Sequence, residues 1–328
     1  MTAQPDDARA AVARLARARR ALIAGHQRPD GDSLGSQLAL AELAGALGVA
    51  AVVVNCDPAP ATLADLPGAE LVAVGATLPP DFPDRFDLVV AVECPELERA
   101  GFPGLDRLPV LNIDHHPANP LYGEVNFVDA DAPATGEMVW QMFRAAAIEP
   151  TAAAATNTFV ALSTDTGDFR YGNATARAFR AAAEMVEAGA TPTVVARWIH
   201  GRRRAAAVHL LGAALSTLRL EDDGRIAVIE LDEAAFRRAG AGPEDTEDII
   251  NLPRAIDGVR AVVFLKQWEP GVVRISLRST GNVDVRSVAE RLGGGGHANA
   301  AGCTVRGDLP STRELVLAAV RAAVEAAP

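Results

Sequence analysis

The chain has 328 residues, of which 49% are hydrophobic and 22% charged, a composition typical of a globular protein with room for two domains. Its formal net charge of -11 at pH 7 argues against a protein that coats long nucleic acid through a broad basic surface. The 3 cysteines lack C-x-x-C spacing, which indicates neither a disulfide framework nor a cysteine zinc site. No segment reaches the ~20 apolar residues of a membrane span. We therefore expect a cytoplasmic protein that does not bind membranes.

The first candidate site follows a buried strand predicted at residues 21–25. His26, Asp30 and Asp32 are spaced as His-x-x-x-Asp-x-Asp, in a loop whose proline and glycine oppose helix formation. An imidazole with carboxylates suits Mn²⁺, Fe²⁺, Co²⁺ or Zn²⁺. The alternative is a polar turn in which the aspartates cap the helix predicted at 36–47.

Other predicted strands end in similar residues. Continuous apolar runs predict strands at 50–54, 87–92 and 109–113. Glu93 follows the second of these, and Asp114-His115-His116 follows the third. Alternation of such strands with helices predicts a parallel sheet, in which these ends lie at the same edge.

The histidines and carboxylates expected at this edge are those of a metal centre. Asp165 adds a further carboxylate, in a polar loop expected after the apolar helix at 151–162. Two first-row metals ~3.5–4 Å apart need about this number of ligands, and such a pair suits in-line displacement at phosphorus. The sequence therefore predicts phosphoester hydrolysis. The residues concerned are His26, Asp30, Asp32, Glu93, His115, His116 and Asp165.

The C-terminal part has a different pattern. A domain boundary is expected within the helical stretch 175–218, and hairpin-like spacing of strands at 225–231, 259–265 and 272–277 predicts a smaller mixed or antiparallel sheet. The following run of glycines, with His297 beside it, has the character of a backbone cradle for phosphate oxygens.

These motifs together resemble the DHH phosphoesterase superfamily, whose name describes Asp114-His115-His116 in this chain. The glycine run, His297 and Ala300-Ala301-Gly302 resemble the signature of its DHH-associated C-terminal domain. Length and layout most resemble the NrnA-type subfamily of bifunctional oligoribonucleases and pAp phosphatases.

The resemblance implies an α/β fold in which a parallel-sheet N-terminal domain is followed by a smaller mixed-sheet domain. The expected bounds are 1–190 for the DHH catalytic domain, 191–215 for a helical linker and 216–328 for the substrate-binding domain.

The resemblance also implies two divalent metal ions, above all Mn²⁺, with Mg²⁺ or Co²⁺ as alternatives. The implied ligands are His26, Asp30 and Glu93 for one ion and Asp32, His115 and Asp165 for the other, with Glu93 or Asp165 bridging. Asp114, His116 and Asp165 are the candidate catalytic residues: Asp114 would orient a histidine, and His116 would face the substrate phosphate or support the site.

Substrate binding is expected in the second domain. Arg278 is the candidate for binding a terminal phosphate, because a guanidinium can donate hydrogen bonds to two phosphate oxygens at once. The full candidate set is Arg278, Ser279, Gly294, Gly295, Gly296 and His297.

The implied activity is that of a 3'-5' oligoribonuclease and 3',5'-bisphosphate nucleotidase. Its expected partners are short RNA or DNA oligonucleotides and pAp, bound between the domains, with a homodimer as the family expectation. Glu93 departs from the family, which has aspartate there, and its extra methylene moves the carboxylate outward. Alternatives are a phosphodiesterase for cyclic or linear dinucleotides, a pyrophosphatase, and a nucleotide-binding sensor slowed by Glu93.

Overall fold

The computed structural model describes residues 6–201, 204–246 and 249–327. The chain divides into two compact units, Met1–Arg202 and Arg203–Pro328. The boundary falls within the helical linker predicted at 191–215, of which residues 202 and 203 lie outside the described residues. None of the helices in the described ranges is both long and apolar enough to cross a membrane.

The first unit is built on a parallel sheet of six strands in the order β3-β2-β1-β4-β5-β6. The central strands are buried apolar runs, as helices on both faces of a parallel sheet require. The strands are β1 (Arg20–Ala24), β2 (Ala50–Asn55), β3 (Ala73–Val74), β4 (Leu88–Val92), β5 (Val110–Asp114) and β6 (Val125–Val128). The helices are α1 (Ala8–Leu15), α2 (Gly31–Ala46), α3 (Thr135–Ala146), α4 (Ala152–Asp165), α5 (Ala176–Glu187) and α6 (Pro192–His200).

Two helices of this unit extend further than predicted. The helix expected at 36–47 begins at Gly31, because Asp30 caps it by accepting a hydrogen bond from the Ser33 amide at 3.0 Å. Helix α4 runs through Asp165, which was expected in a loop, and the Thr164 hydroxyl bonds back to the Val160 carbonyl. Asp32 and Asp165 therefore both lie on helices.

The second unit contains a mixed sheet in the order β11-β12-β10-β9-β8-β7, antiparallel except for the β8–β9 pair. The strands are β7 (Arg219–Glu221), β8 (Ile226–Leu231), β9 (Ala261–Glu269), β10 (Val272–Ser279), β11 (Gly295–His297) and β12 (Ala300–Arg306). The helices are α7 (Ala205–Ser216), α8 (Glu233–Ala239), α9 (Asn251–Arg254), α10 (Val285–Arg291) and α11 (Leu309–Ala326).

The two faces of this sheet are covered differently. Helices α10 and α11 pack on one face, over Val273, Ile275 and Leu277 of β10. Helices α7 and α8 pack on the opposite face, over β8 and the Val262 and Phe264 side chains of β9. The apolar clusters on that second face include no residue of β10, β11 or β12, within the ranges that the structure describes.

Candidate metal centre

Three neighbouring strands deliver candidate ligands to one edge of the first sheet. His26 follows β1, Glu93 follows β4, and His115 and His116 follow β5. Because β1, β4 and β5 are adjacent and parallel, their carboxyl ends meet, as the sequence predicted. This is where open α/β sheets place their ligands.

The first ligand group consists of His26, Asp30 and Glu93, whose donor atoms lie within 4.8 Å of one another. His26 Nε2 is 3.1 Å from Glu93 Oε2 and 3.7 Å from Asp30 Oδ1. His26 Nδ1 lies 2.7 Å from the carbonyl oxygen of Gln27. Donation to that carbonyl fixes the ring and leaves Nε2 as the metal-facing nitrogen.

The second ligand group consists of Asp32, His115 and Asp165. His115 Nε2 lies 3.7 Å from Asp32 Oδ2 and 3.9 Å from Asp165 Oδ2. His115 Nδ1 is 3.2 Å from the Ala132 carbonyl oxygen, so this ring is also held through the nitrogen that faces away from the group.

Asp32 is held rigidly although its carboxylate is buried. Its oxygens accept hydrogen bonds from the backbone amides of Thr135 at 2.7 Å and Gly136 at 2.9 Å, and from the Ser36 hydroxyl at 3.0 Å. The two amides belong to the first turn of α3, where the helix dipole favours a negative charge. Backbone amides at the start of α3, which have no partner within that helix, thus position a carboxylate carried by α2.

Glu93 lies between the two groups. Its carboxylate also comes within 4.8 Å of donor atoms of both His115 and His116, which form a third possible ligand group with it. Its backbone has a φ of 56°, in the left-handed region that costs a residue with a β-carbon roughly 1–3 kcal/mol.

The donor set fits divalent metal ions. Glu93 Oε2 is buried and lies 3.1 Å from His26 Nε2, but it forms no hydrogen bond within the described structure. A buried carboxylate oxygen without a partner is costly unless a cation or proton satisfies it. Oxygen and imidazole donors are those that Mn²⁺, Co²⁺ and Zn²⁺ accept.

Burial, together with repulsion between the carboxylates, shifts the pKa values of these groups. Burial, opposed by the charge of His115 and reinforced by Asp165 and Asp30, raises the pKa of Asp32 to about 7. Burial and the charge of Asp32 hold the pKa of Glu93 well above its usual range. Burial alone would lower the pKa of His26, but Asp30 and Glu93 raise it to about 10. Binding a divalent cation would remove this repulsion.

His116 is positioned by a buried carboxylate. Its Nδ1 donates to Asp114 Oδ1 at 2.8 Å, and this hydrogen bond raises the pKa of His116. Asp114 is fully buried, which makes it a positioning residue for this imidazole.

Two asparagines complete the site and were not identified from the sequence. Asn119 donates to Asp114 Oδ2 at 2.6 Å, and Asn173 donates to Asp165 Oδ2 at 3.1 Å. Both lie in loops, where no periodic pattern marks them.

Two glycines allow the ligand-bearing helices α2 and α4 to touch. A β-carbon at Gly35 would overlap the backbone carbonyl oxygen of Asn157, and one at Gly31 would overlap the Thr164 side chain. Gly31 and Thr164 immediately precede Asp32 and Asp165, so this contact sets the separation of two ligands.

The candidate substrate residues lie on β10 and β11 of the second unit. Arg278 pairs across the sheet with Ala300, which in turn pairs with His297, so these side chains share the face opposite α10. Gly294 precedes β11, and Gly295 and Gly296 form it with His297. Ser279 is buried instead: its hydroxyl donates to the Val283 carbonyl at 2.6 Å and accepts from Asn299.

Comparison with known proteins is consistent with this architecture. The model of the DHH family N-terminal domain matches residues 20–164, and that of the DHHA1 domain matches residues 223–326. The chain is 36% identical over 307 residues to the bifunctional oligoribonuclease and PAP phosphatase NrnA of Thermus thermophilus, an alignment spanning 91% of this chain and 88% of that protein.

Solved structures share the fold at lower identity. An exopolyphosphatase-related protein from Bacteroides fragilis superimposes with a TM-score of 0.83 and 21% identity, over 95% of this chain and 96% of that one. RecJ from Thermus thermophilus in complex with Mn²⁺ gives a TM-score of 0.52 and 16% identity, over 99% of this chain and 56% of that one. Together with the two domain matches, the Thermus NrnA alignment shows that the chain belongs to the DHH family, among the members that carry a DHHA1 domain.

Proposed function

We propose that the protein is a metal-dependent phosphoesterase that hydrolyses short oligoribonucleotides to nucleoside 5'-monophosphates and dephosphorylates pAp. The observation that carries this proposal is the pair of ligand groups that Glu93 connects at the sheet edge. The substrate class is supported by the Thermus relative, which is named a bifunctional oligoribonuclease and PAP phosphatase.

In this proposal each ligand group would hold one divalent ion. His26, Asp30 and Glu93 would hold the first, and Asp32, His115 and Asp165 the second; the Glu93 carboxylate also approaches His115 of the second group. Mn²⁺ is the ion we favour over Mg²⁺ or Co²⁺. The mixed histidine and carboxylate set suits it.

When bound, two such ions supply charge neutralisation at phosphorus and acidify the attacking water. The chain's own residues supply position. The α3 amides keep Asp32 fixed, Asn173 orients Asp165, and Asp114 holds His116 toward the substrate phosphate. Arg278, His297 and the glycines of β11 bind the substrate from the second unit.

The charge of the chain fits short substrates. A net charge of -11 disfavours long nucleic acid, whereas a few nucleotides need only a few phosphate contacts. We also propose a cytoplasmic homodimer. Cys56, Cys94 and Cys303 are free thiols, as a reducing compartment favours, and the dimer is the family expectation.

The test is product release from a 5'-labelled RNA dinucleotide, pAp, cyclic di-AMP and pyrophosphate, side by side in Mn²⁺, Mg²⁺ and EDTA. The inactive reference is Asp165→Asn. The matched control is Asp106→Asn, which removes an exposed carboxylate outside the ligand groups.

Mononucleotide formation from the dinucleotide and pAp, dependent on metal and lost only in Asp165→Asn, is the expected result. Turnover of cyclic di-AMP or pyrophosphate alone would keep the metal centre and overturn the substrate assignment. Nucleotide binding without any turnover would favour the sensor hypothesis, and Glu93→Asp should then restore hydrolysis.

A further inference from the structure

The face of the second sheet that carries Arg278 and His297 also carries two further cations. Lys266 of β9 pairs across the sheet with Arg274 of β10, and Arg278 follows four residues further along the same strand. Alternate residues of a strand point to the same face, so these three cations line one side of the sheet. We call Lys266, Arg274 and Arg278 the cationic row.

Lys266 lies at the centre of this row. Its Nζ donates to the Ser276 hydroxyl at 2.9 Å and lies 4.9 Å from the centroid of the Phe264 ring. The neighbouring Arg274 places its guanidinium carbon 4.9 Å from the centroid of the Trp268 ring. Aromatic faces and a hydroxyl thus surround the two cations.

No carboxylate among the described residues pairs with either of these two groups. In the part of the chain that the structure describes, neither Lys266 nor Arg274 forms an ion pair. Burial and the charges of Arg278 and Arg274 lower the pKa of Lys266 to about 8. The acidic residues within the described ranges therefore leave this half-buried lysine without an ion-pair partner.

The sheet beside the row is lined by small residues. Gly302 of β12 lies opposite Ser276, and Ala300 lies opposite Arg278. Gly295 of β11 is the next residue beyond Gly302. These positions therefore place no large side chain on the strands beside the cations.

We propose that Lys266, Ser276 and Arg274 bind a phosphate of the oligonucleotide that is not the one being hydrolysed. The inference rests on the proposed function and extends it by a second phosphate subsite next to Arg278 and His297. An ammonium, a guanidinium and a hydroxyl are the donors that phosphate oxygens accept. Ser276 accepts from Lys266, so its own proton is available to the phosphate.

The subsite predicts a preference between two substrates with the same scissile bond. The dinucleotide pApA carries a 5'-phosphate that ApA lacks. We compare kcat/KM for both in the full-length protein with Mn²⁺, for the wild type, Lys266→Met, Arg274→Met and Lys266→Arg. The matched control is Arg286→Met, which removes an exposed α10 arginine paired with Glu290 on the opposite side of the sheet.

We expect the ratio of kcat/KM for pApA to that for ApA to fall roughly tenfold in Lys266→Met and Arg274→Met, mainly through KM for pApA. Lys266→Arg should retain most of the ratio, and Arg286→Met all of it. A ratio unchanged in both methionine variants, or a parallel loss for both substrates, would overturn the second subsite.

A separate measurement distinguishes this failure from failure of the proposed function. If neither dinucleotide is hydrolysed, the affinity for pApA and ApA is measured by calorimetry in EDTA. Weaker binding of pApA alone in Lys266→Met would support the subsite without turnover. Equal affinities in wild type and variant would overturn it.

Discussion

The two sheets of this protein gather charge of opposite sign. The edge of the first sheet brings together the carboxylates of Asp30, Asp32, Glu93 and Asp165, whereas one face of the second sheet carries the cationic row. Groups of like charge held this close repel one another. The difference in sign is what our proposal requires, in which the first unit would bind metal cations and the second would bind phosphate.

The two clusters are tolerated in different ways. Asp32 is satisfied by fixed backbone amides of α3, which keep it in place. Among the described residues, Lys266 contacts a hydroxyl and an aromatic face, which are weaker partners for a charge. We therefore expect changes in the ligand groups of the first unit to affect turnover more than binding.

The largest effect is expected in the metal centre. Asp165→Asn or His115→Ala should lower turnover by about 10³-fold or more, because each removes a ligand from the second group. The fold should persist, since both side chains lie at the sheet edge outside the apolar core. Initial rates in Mn²⁺, with circular dichroism as the check on folding, measure this. Near-normal rates in either variant would contradict the metal assignment.

An intermediate effect is expected on stability in the cationic row. The pKa of Lys266 falls from 10.5 to about 8 on folding, which corresponds to ~3 kcal/mol against the folded state below pH 8. The unfolded chain binds the extra proton between these values, so stability should rise as pH rises from about 8 to about 10.5. Lys266→Met should be more stable than wild type at pH 7 and should lose this contribution to the pH dependence.

Urea unfolding of both proteins at pH 7 and pH 10 measures this difference. Lys266→Arg is the control, because it keeps a charge at every pH used. A methionine variant no more stable than wild type at pH 7 would mean that the lysine is not under electrostatic strain.

The smallest effect is expected at the edge of the second sheet. His297→Ala should raise KM for an RNA dinucleotide by roughly tenfold with little change in kcat, because it would remove one phosphate hydrogen bond and leave both ligand groups intact. His209→Ala, an exposed histidine on α7 of the same unit, is the matched control. A loss confined to kcat would assign His297 to the chemistry and weaken the contrast between the units.

The sequence predicted the parts of the molecule that depend on short patterns. Continuous apolar runs marked β1, β4 and β5, and the residues after them were correctly expected to share an edge. The glycine run was not recognised as the start of β11, because glycine carries no strand pattern of its own. The edge strand β6, with 4 residues, and the helix α8, with 7 residues, were also missed, because elements this short do not show a clear periodic pattern.

The remaining features depend on contacts between distant residues. Asp32 and the Thr135 amide are 103 positions apart in the sequence. No local sequence pattern predicts that the start of α3 will hold a carboxylate carried by α2. In the sequence, Lys266 has no feature that distinguishes it from other strand residues. Only the strand pairing with Arg274 in the structure places it beside other cations. The left-handed backbone of Glu93 likewise follows from the strand it terminates, not from its residue type.

The contact of α2 with α4 at Gly31 and Gly35 limits how this centre can diverge. A ligand on a strand-end turn, such as Glu93, can change length while its loop adjusts around it. Asp32 and Asp165 lack that freedom, because a single methyl group at Gly35 would push against the Asn157 backbone and displace an entire helix. Changing the length of the carboxylate at position 93 should therefore disturb the centre less than adding a methyl group at Gly35, which would alter the gap between the two ligand-bearing helices.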